Sequence, residues 1–243
     1  ILATLGLPRA AARYVTEFTE TAPGQVPYVI RRSAMFITGM IALVAAGTVV
    51  VGPGVVRLAS SLGVADSPAI GGSLLAVGGL YVAGRAYHSY LTTIFQGLNR
   101  VDWSAKITAV SSVARLPLVA GMVVLGFGVA GAVAGYVLAF SFSVLLGTYV
   151  VYTKFYSEYD EAASPSERLT ERLLEYSVPL TATRGANVLD KKVDTLLLGI
   201  IVDMTSVGFY TVAKQVSDFV SAPASSFGYT ISPALGEQSA KNR

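Results

Sequence analysis

Charged side chains interrupt several otherwise apolar stretches of this 243-residue chain. The cations are Arg85, Arg115, Arg184, Lys191, Lys192 and Lys214, and the acids are Asp190, Asp194 and Asp218. Ionisable groups inside a membrane are costly and usually face a protein interior or a wet cavity. Because the cations outnumber the acids, we expect a net positive cavity. Such a cavity suits an anionic substrate such as a phosphate or pyrophosphate, through charge-assisted hydrogen bonds.

These charges share helical faces with other polar residues. On one predicted helix, polar side chains recur at spacings of three or four residues, which places them on one face: Tyr81, Arg85, His88, Thr92 and Gln96. Three further stripes are Thr108, Ser111 or Ser112, and Arg115; Arg184, Asn187, Lys191 and Asp194; and Tyr210, Lys214, Ser217 or Asp218, and Ser221. Four helices with one polar face each predict a shared hydrated interior.

Several of these residues also have a purely structural interpretation. Lys214 and Asp218 are four residues apart and can simply form an ion pair. The charges at 190–194 can lie near the outer membrane surface, where charge costs little. His88 can be a hydrogen-bonded packing residue rather than a proton relay. Arg85, Arg115 and Arg184 lie several turns from either helix end, too deep for easy snorkelling, so we expect them to face the cavity.

The composition excludes several other kinds of site. The chain has no cysteine and one histidine, which excludes a disulfide framework, a thiol nucleophile and a cysteine or histidine-rich metal site. Phosphate-loop, dinucleotide-binding and metalloprotease motifs are absent. The net charge of +3 is too small to indicate nucleic-acid binding. We therefore expect no metal, no cofactor and no nucleic-acid partner.

Long apolar stretches predict an all-α integral membrane protein. Hydrophobic residues make up 53% of the chain, and about 18 consecutive apolar residues are typical of a membrane helix. We predict six spans, at 33–51, 69–98, 104–126, 130–152, 170–202 and 206–235. Gly52-Pro53-Gly54 should end the first span, before an interfacial segment at 55–66. The glycine-rich 126–131 should join two antiparallel neighbours, and Pro179 should kink the fifth span.

The polar segment 153–172 is the predicted linker between two lobes, 1–152 and 173–243. Basic and non-basic loops alternate through the six spans, so the lysine and arginine rule predicts that residues 1–32 and 153–172 are cytoplasmic. The chain begins Ile1-Leu2-Ala3 and ends just after a helix. We expect it to be a fragment of a longer protein in the cytoplasmic membrane.

Three segments carry a family resemblance: 5–15 (LGLPRAAARYV); 95–100 (FQGLNR) with Arg115-Leu116 and 126–136 (GFGVAGAVAGY); and 174–180 (LEYSVPL) with 192–199 (KVDTLLLG) and 207–210 (VGFY). They resemble the Wzx-like polysaccharide-biosynthesis flippases, in the superfamily that also holds the multidrug and toxin extruders. The resemblance implies a two-lobed transporter of twelve to fourteen helices. This chain would then begin at the end of helix two and continue through helix six. Helices seven and eight would follow and start the C-terminal lobe.

The resemblance implies a transporter, not an enzyme, that moves lipid-linked pyrophosphate oligosaccharide across the membrane by alternating access. Its partners would be that substrate, membrane lipid, and glycan polymerases or glycosyltransferases. The substrate-binding candidates are Arg85, Arg115, Arg184, Lys191 and Lys214. The candidates for coupling to a proton or sodium gradient are His88, Asp190, Asp194 and Asp218.

Three alternatives stay open. A multidrug or toxin extruder of the same superfamily would favour an acidic cavity for cationic drugs. A membrane-embedded glycan-processing enzyme would need a catalytic carboxylate or histidine facing a large outer loop, and the predicted external loops are short. A scaffold within a glycan-assembly complex would bind partners without transporting.

Overall fold

The computed structural model describes residues 4, 6–61, 68–156, 159, 168–201, 206–217 and 220. Within those residues the chain is helical apart from short turns, as the all-α prediction requires. It divides into two compact units, Ile1–Gly185 and Ala186–Arg243, which are described separately here. Half of the lobe boundary predicted at 153–172 falls outside the described residues, and the boundary stays a prediction.

Seven α-helices follow one another in the part of the chain that the structure describes. They are α1 (Leu7–Thr21), α2 (Val26–Ser61), α3 (Pro68–Gly97), α4 (Val101–Met122), α5 (Gly128–Val150), α6 (Leu169–Ile201) and α7 (206–217). A short 3₁₀ turn precedes α2, a kink at the non-helical Gly126 follows α4, and a π-helical turn follows α5. The bounds of α3 and α6 agree with the predicted second and fifth spans to within about one residue at each end. Helix α6 continues through Pro179.

Helix α1 is a separate amphipathic helix that the sequence analysis treated only as the end of a preceding one. Gly6 has a φ of 65°, a left-handed conformation that glycine tolerates. Pro8 lies in the first turn, where its missing N–H costs nothing. The buried face has helical spacing and consists of Leu7, Ala10, Ala11, Tyr14, Val15 and Phe18. This face packs α1 against α2 and α3.

The prediction that Gly52-Pro53-Gly54 ends the first span was wrong. Helix α2 continues through Pro53 to Ser61 and has 36 residues, or about 54 Å at the usual rise. Proline is tolerated in membrane helices because neighbouring groups and local adjustments satisfy the freed backbone. Residues 55–61 therefore extend α2 as helix, and their interfacial position stays a prediction.

Helices α4 and α5 are antiparallel neighbours, as the short glycine-rich connection predicted. The chain reverses at Gly126 and Gly128, whose φ angles are 88° and 54°. A Cβ on Gly135 would lie 2.7 Å from Cα of Val119, and one on Gly147 would lie 3.0 Å from Cδ1 of Ile107. The later glycine on α5 thus contacts the earlier residue on α4, as antiparallel helices require. The small side chains let the two backbones pack tightly.

The outer surface of the helices is apolar enough for a membrane protein. Two helical segments, Pro23–Gly54 and Val101–Phe155, are long and apolar enough to cross a membrane, yet only 6% of each apolar window is buried. The second contains both α4 and α5. The core helix of a soluble protein would bury such residues, whereas Val124 is 85% exposed and Leu116 is 75% exposed. The full count of six spans stays a prediction.

Buried packing in the first unit is concentrated where α1, α2, α3 and the start of α6 meet. Phe95, Ile94, Val29 and Leu173 are fully buried there. Tyr90 donates a hydrogen bond to the Ile30 carbonyl (2.9 Å). This packing fixes the rotation of α3, which carries most of the polar stripe described next.

Candidate functional site

Two of the four predicted stripes meet around one cavity of about 470 Å³ in the first unit. Helix α3 contributes Arg85, His88 and Thr92 to its lining, and α4 contributes Arg115 together with Thr108 and Ser111. Val82, Ala86 and Phe140 are apolar parts of the wall. We call this space the arginine cavity. The spacing of three and four residues thus correctly placed these side chains on one face of each helix.

Arg115 has no carboxylate partner in the part of the chain that the structure describes. Its guanidinium carbon lies 5.4 Å from the centre of the Tyr136 ring and 5.7 Å from that of Phe140. These are cation–π distances. Its Nε is buried without a hydrogen-bond partner. A buried donor left unpaired costs free energy, and the Arg115 side chain lines the arginine cavity, where an incoming anion would meet it.

Arg85 and His88 lie on the same wall in different surroundings. Arg85 is exposed, and no ion pair engages it within the described ranges. The Nδ1 of His88 is hydrogen-bonded to Oγ of Ser143 (2.7 Å), and its ring lies 5.3 Å from Phe140. These contacts fit the packing interpretation of His88, although the residue also lines the cavity.

Helix α5 supplies a wall that the sequence analysis missed. The fourth predicted span was assigned no polar stripe, yet Tyr136, Phe140 and Ser143 all contact the cavity residues. The edge of Tyr81 packs against Tyr136 and Phe140. The spacing of four and three between Tyr136, Phe140 and Ser143 is the signal that would have revealed this face.

A second cavity of about 560 Å³ adjoins the first. The two share Thr4 and Ser89 in their linings. The remaining lining residues come from α1, α3 and the first half of α6: Gly6, Pro8, Arg9, Ala12, Thr93, Gln96, Tyr176 and Thr181. We call this space the hydroxyl cavity. Only Gln96 of this set was named as a stripe residue from the sequence.

Asp194 joins Lys214 and Tyr210 in a polar network within the second unit. The Nζ of Lys214 donates to Oδ2 of Asp194 (2.6 Å), and the Tyr210 hydroxyl donates to the same oxygen. The backbone N–H of Thr195 donates to Oδ1 (2.7 Å). Lys214 therefore pairs with an acid on the preceding helix. Its suggested partner Asp218 lies outside the described residues.

The rest of the predicted site is not described at the level of side chains. Arg184, Asp190 and Lys191 lie on α6, but their side chains are outside the described part of the structure, as is that of Lys192. The shared interior of all four stripes stays a prediction. Among the described residues, no group of three His, Cys, Asp or Glu side chains is placed to hold a metal ion.

A family model described as "Polysaccharide biosynthesis protein" matches residues 1–238. The chain belongs to this polysaccharide biosynthesis family. The match confirms the resemblance to the Wzx-like flippases that the three segments indicated. Neither a protein of curated function nor a solved structure matches the chain.

Membership gives the two cavities a biological setting. Proteins of the polysaccharide biosynthesis family are typically membrane-embedded and generally resemble transporters rather than enzymes. The chain therefore has a role in polysaccharide synthesis or export. That role agrees with lipid-linked sugars as the class of substrate.

Proposed function

We propose that this protein is a flippase that moves lipid-linked pyrophosphate oligosaccharide across the cytoplasmic membrane. The observation that carries the proposal is Arg115, with a buried, unpaired Nε beside the arginine cavity. A pyrophosphate offers several anionic oxygens as acceptors, and arginine binds such groups through two parallel hydrogen bonds. Arg85 on the facing helix supplies a second guanidinium.

The surroundings of the cavity suit the rest of the substrate. The aromatic rings beside Arg115 hold a cation without neutralising it, so its charge stays available to an anion. The exposed apolar surfaces of α4 and α5 allow the lipid chain of the substrate to stay in the bilayer. The charge of Arg115 can thus bind the pyrophosphate of an amphipathic substrate while the apolar surfaces of α4 and α5 adjoin its lipid chain.

The proposed mechanism is alternating access between two lobes around a cavity at the membrane midplane. Residues 1–32 and 153–172 are placed on the cytoplasmic side by the loop charges. Arg184, Lys191 and Lys214 are proposed as further residues that bind the anionic substrate. His88, Asp190, Asp194 and Asp218 are proposed to couple movement to a proton or sodium gradient. The role of each rests on its position in the polar stripes or, for Asp190, directly beside one.

The described lining of the arginine cavity argues against an extruder of cationic drugs. It contains two arginines and no carboxylate. A cation entering the cavity would be repelled by both arginines, whereas an anion would be attracted. Export of cationic drugs is therefore the result that would favour the extruder over the flippase.

Substitution of the two arginines tests the proposal. We expect Arg85→Met and Arg115→Met each to slow lipid-pyrophosphate oligosaccharide movement by about tenfold or more, because each removes charged hydrogen bonds. The measurement is substrate movement between leaflets by the full-length protein in sealed vesicles. Arg32→Met, which removes an exposed cation on α2, is the matched control and should leave the rate unchanged.

The stability of Arg115→Met separates a binding role from a structural one. Methionine keeps apolar contact with the aromatic rings and removes the unpaired Nε. We therefore expect unfolding of this variant to cost the same free energy as that of the unchanged protein, or about 1 kcal/mol more. Loss of transport together with clear destabilisation would mean that Arg115 serves the fold, and the proposal would lose its main support.

A further inference from the structure

The hydroxyl cavity differs from the arginine cavity in the kind of hydrogen-bonding group that it offers. Its lining is rich in neutral polar side chains, namely Thr4, Ser89, Thr93, Gln96 and Thr181. Arg9 is the cation among its lining residues, and it is exposed in the first turn of α1. Charge therefore dominates the first cavity, whereas uncharged groups dominate the second.

Two hydroxyls of the second cavity already use their protons within their own helices. The Thr93 hydroxyl donates to the Ser89 carbonyl, and the Thr181 hydroxyl donates to the Ser177 carbonyl (2.7 Å each). The Nε2 of Gln96 donates to Oγ of Ser104 (3.4 Å). A hydroxyl oxygen that donates its proton keeps lone pairs, and the amide keeps its Oε1. Thr93 and Thr181 consequently present acceptors to the cavity, while the second N–H of Gln96 and the guanidinium of Arg9 remain donors.

A wall that offers both acceptors and donors matches ligands that do both. Phosphate oxygens only accept and leave the threonine oxygens unmatched, whereas sugar hydroxyls both donate and accept and so match the mixed wall. Tyr176 adds an aromatic side chain to the same lining. The cavity has a volume of about 560 Å³, which lies within the range of small-molecule sites.

The two cavities are arranged to hold two parts of one ligand. They share Thr4 and Ser89. Arg85 and Gln96 are separated by about 16 Å along α3 at the usual helical rise. Under the proposed orientation, the Gln96 end of α3 is the cytoplasmic end. In the cytoplasmic leaflet a lipid-linked glycan projects toward the cytoplasm, so its sugars would lie on that side of the pyrophosphate.

We infer that the hydroxyl cavity is a glycan subsite that binds the first, uncharged sugars of the substrate while the arginine cavity holds the pyrophosphate. This inference rests on the proposed function and adds to it a division of labour between two cavities. Thr93 and Thr181 are the residues that carry sugar recognition. Thr93 on α3 and Thr181 on α6 accept hydrogen bonds from sugar hydroxyls that lie between the two helices.

A comparison of two lipids tests the subsite. One probe is a polyprenyl pyrophosphate without sugar, and the other is the same lipid carrying a disaccharide. We expect the double variant with Thr93→Val and Thr181→Val to bind the glycosylated lipid about tenfold more weakly, and the sugar-free lipid within roughly twofold of the unchanged protein. Binding is measured with the full-length protein in detergent or nanodiscs.

Two matched controls accompany the test. Thr93→Ser with Thr181→Ser keeps the acceptor oxygens and should retain the affinity for the glycosylated lipid. Thr19→Val removes a hydroxyl with the same type of backbone bond, to the Val15 carbonyl (2.7 Å), outside both cavities, and should change neither affinity. Arg85→Ala should weaken the binding of both lipids.

The outcomes separate the subsite from the proposed function. If the valine variants lower the affinity for both lipids equally, or for neither, the glycan subsite is wrong. A loss of affinity for both lipids in Arg85→Ala would still support the pyrophosphate site. If Arg85→Ala changes neither affinity, or the unchanged protein binds neither lipid, the proposed function itself fails and the subsite fails with it.

Discussion

Arg115 and Lys214 were both predicted to bind substrate, yet they have different electrostatic surroundings. Arg115 faces aromatic rings and keeps an unpaired buried nitrogen. Lys214 donates to a carboxylate that also accepts from Tyr210 and from the Thr195 backbone. A cation that is already paired gains less from an added anion than one that is not. At the residue scale, Arg115 is therefore the stronger candidate for contact with pyrophosphate.

The ion pair of Lys214 and Asp194 predicts coupled effects of substitution. Lys214→Met and Asp194→Asn should each lower the unfolding temperature, because each leaves one charge without its partner. The double variant should unfold no earlier than the worse single variant, since both charges are then gone. The measurement is a double-mutant cycle of thermal unfolding in detergent.

If the decreases in unfolding temperature of the two single variants simply add in the double variant, Lys214 and Asp194 do not interact. Thr211→Val offers a control on the same helix, because its hydroxyl bonds the Val207 carbonyl (2.7 Å) rather than the ion pair. It should give the same change with and without Asp194→Asn.

At the scale of elements, the crossing of α1 over α3 is closer than any side chain allows. A Cβ on Gly97 would lie 2.7 Å from both the Cα and the carbonyl oxygen of Ala12. The Thr16 hydroxyl donates to the Gly97 carbonyl across the same contact (2.8 Å). Ala12 also lines the hydroxyl cavity. The absence of a side chain at Gly97 thus shapes the cavity wall as well as the packing.

Gly97→Ala should destabilise the protein by about 1–3 kcal/mol, because backbone atoms of α1 must move to admit the methyl group. Denaturant unfolding in detergent measures the change. Gly121→Ala is the matched control, since nothing lies within 4 Å of a Cβ at that helical position, and it should be neutral or stabilising by up to about 1 kcal/mol. Equal stability of both variants would mean that α1 and α3 do not cross this closely.

At the scale of the whole molecule, the apolar surface and the loop charges together specify how the chain crosses the bilayer. Helix α4 has 22 residues, or about 33 Å, which matches a hydrocarbon thickness of about 30 Å. Its two ends should therefore lie on opposite sides of the membrane. The basic residues near its start favour the cytoplasm for that end.

Single-cysteine labelling tests this topology directly, because the chain contains no cysteine of its own. Val101→Cys at the start of α4 and Phe127→Cys after its end are exposed positions. In intact cells, a membrane-impermeant thiol reagent should label Phe127→Cys and not Val101→Cys. After permeabilisation both should react. Labelling of both positions in intact cells would exclude a membrane crossing by α4.

The sequence alone was sufficient for the helical class, for most of the helices and for the polar stripes of α3 and α4 that line the arginine cavity. Apolar length, proline and glycine gave the bounds of α3 and α6. Spacing of three and four residues placed Arg85 and His88 on one face of α3 and Arg115 on one face of α4. These features are local, since they depend on residues within a few turns of one another.

Tertiary structure decided which of those faces meet and which partners the charges choose. Arg115 meets the rings of α5, and Lys214 pairs with Asp194 rather than standing free, because helix rotation and crossing distance bring together residues far apart in the chain. Helix α2 continues past Gly52-Pro53-Gly54 for a related reason: a local breaker is overridden where backbone groups must remain hydrogen-bonded in an apolar environment. The hydroxyl cavity likewise exists only because α1, α3 and α6 pack together.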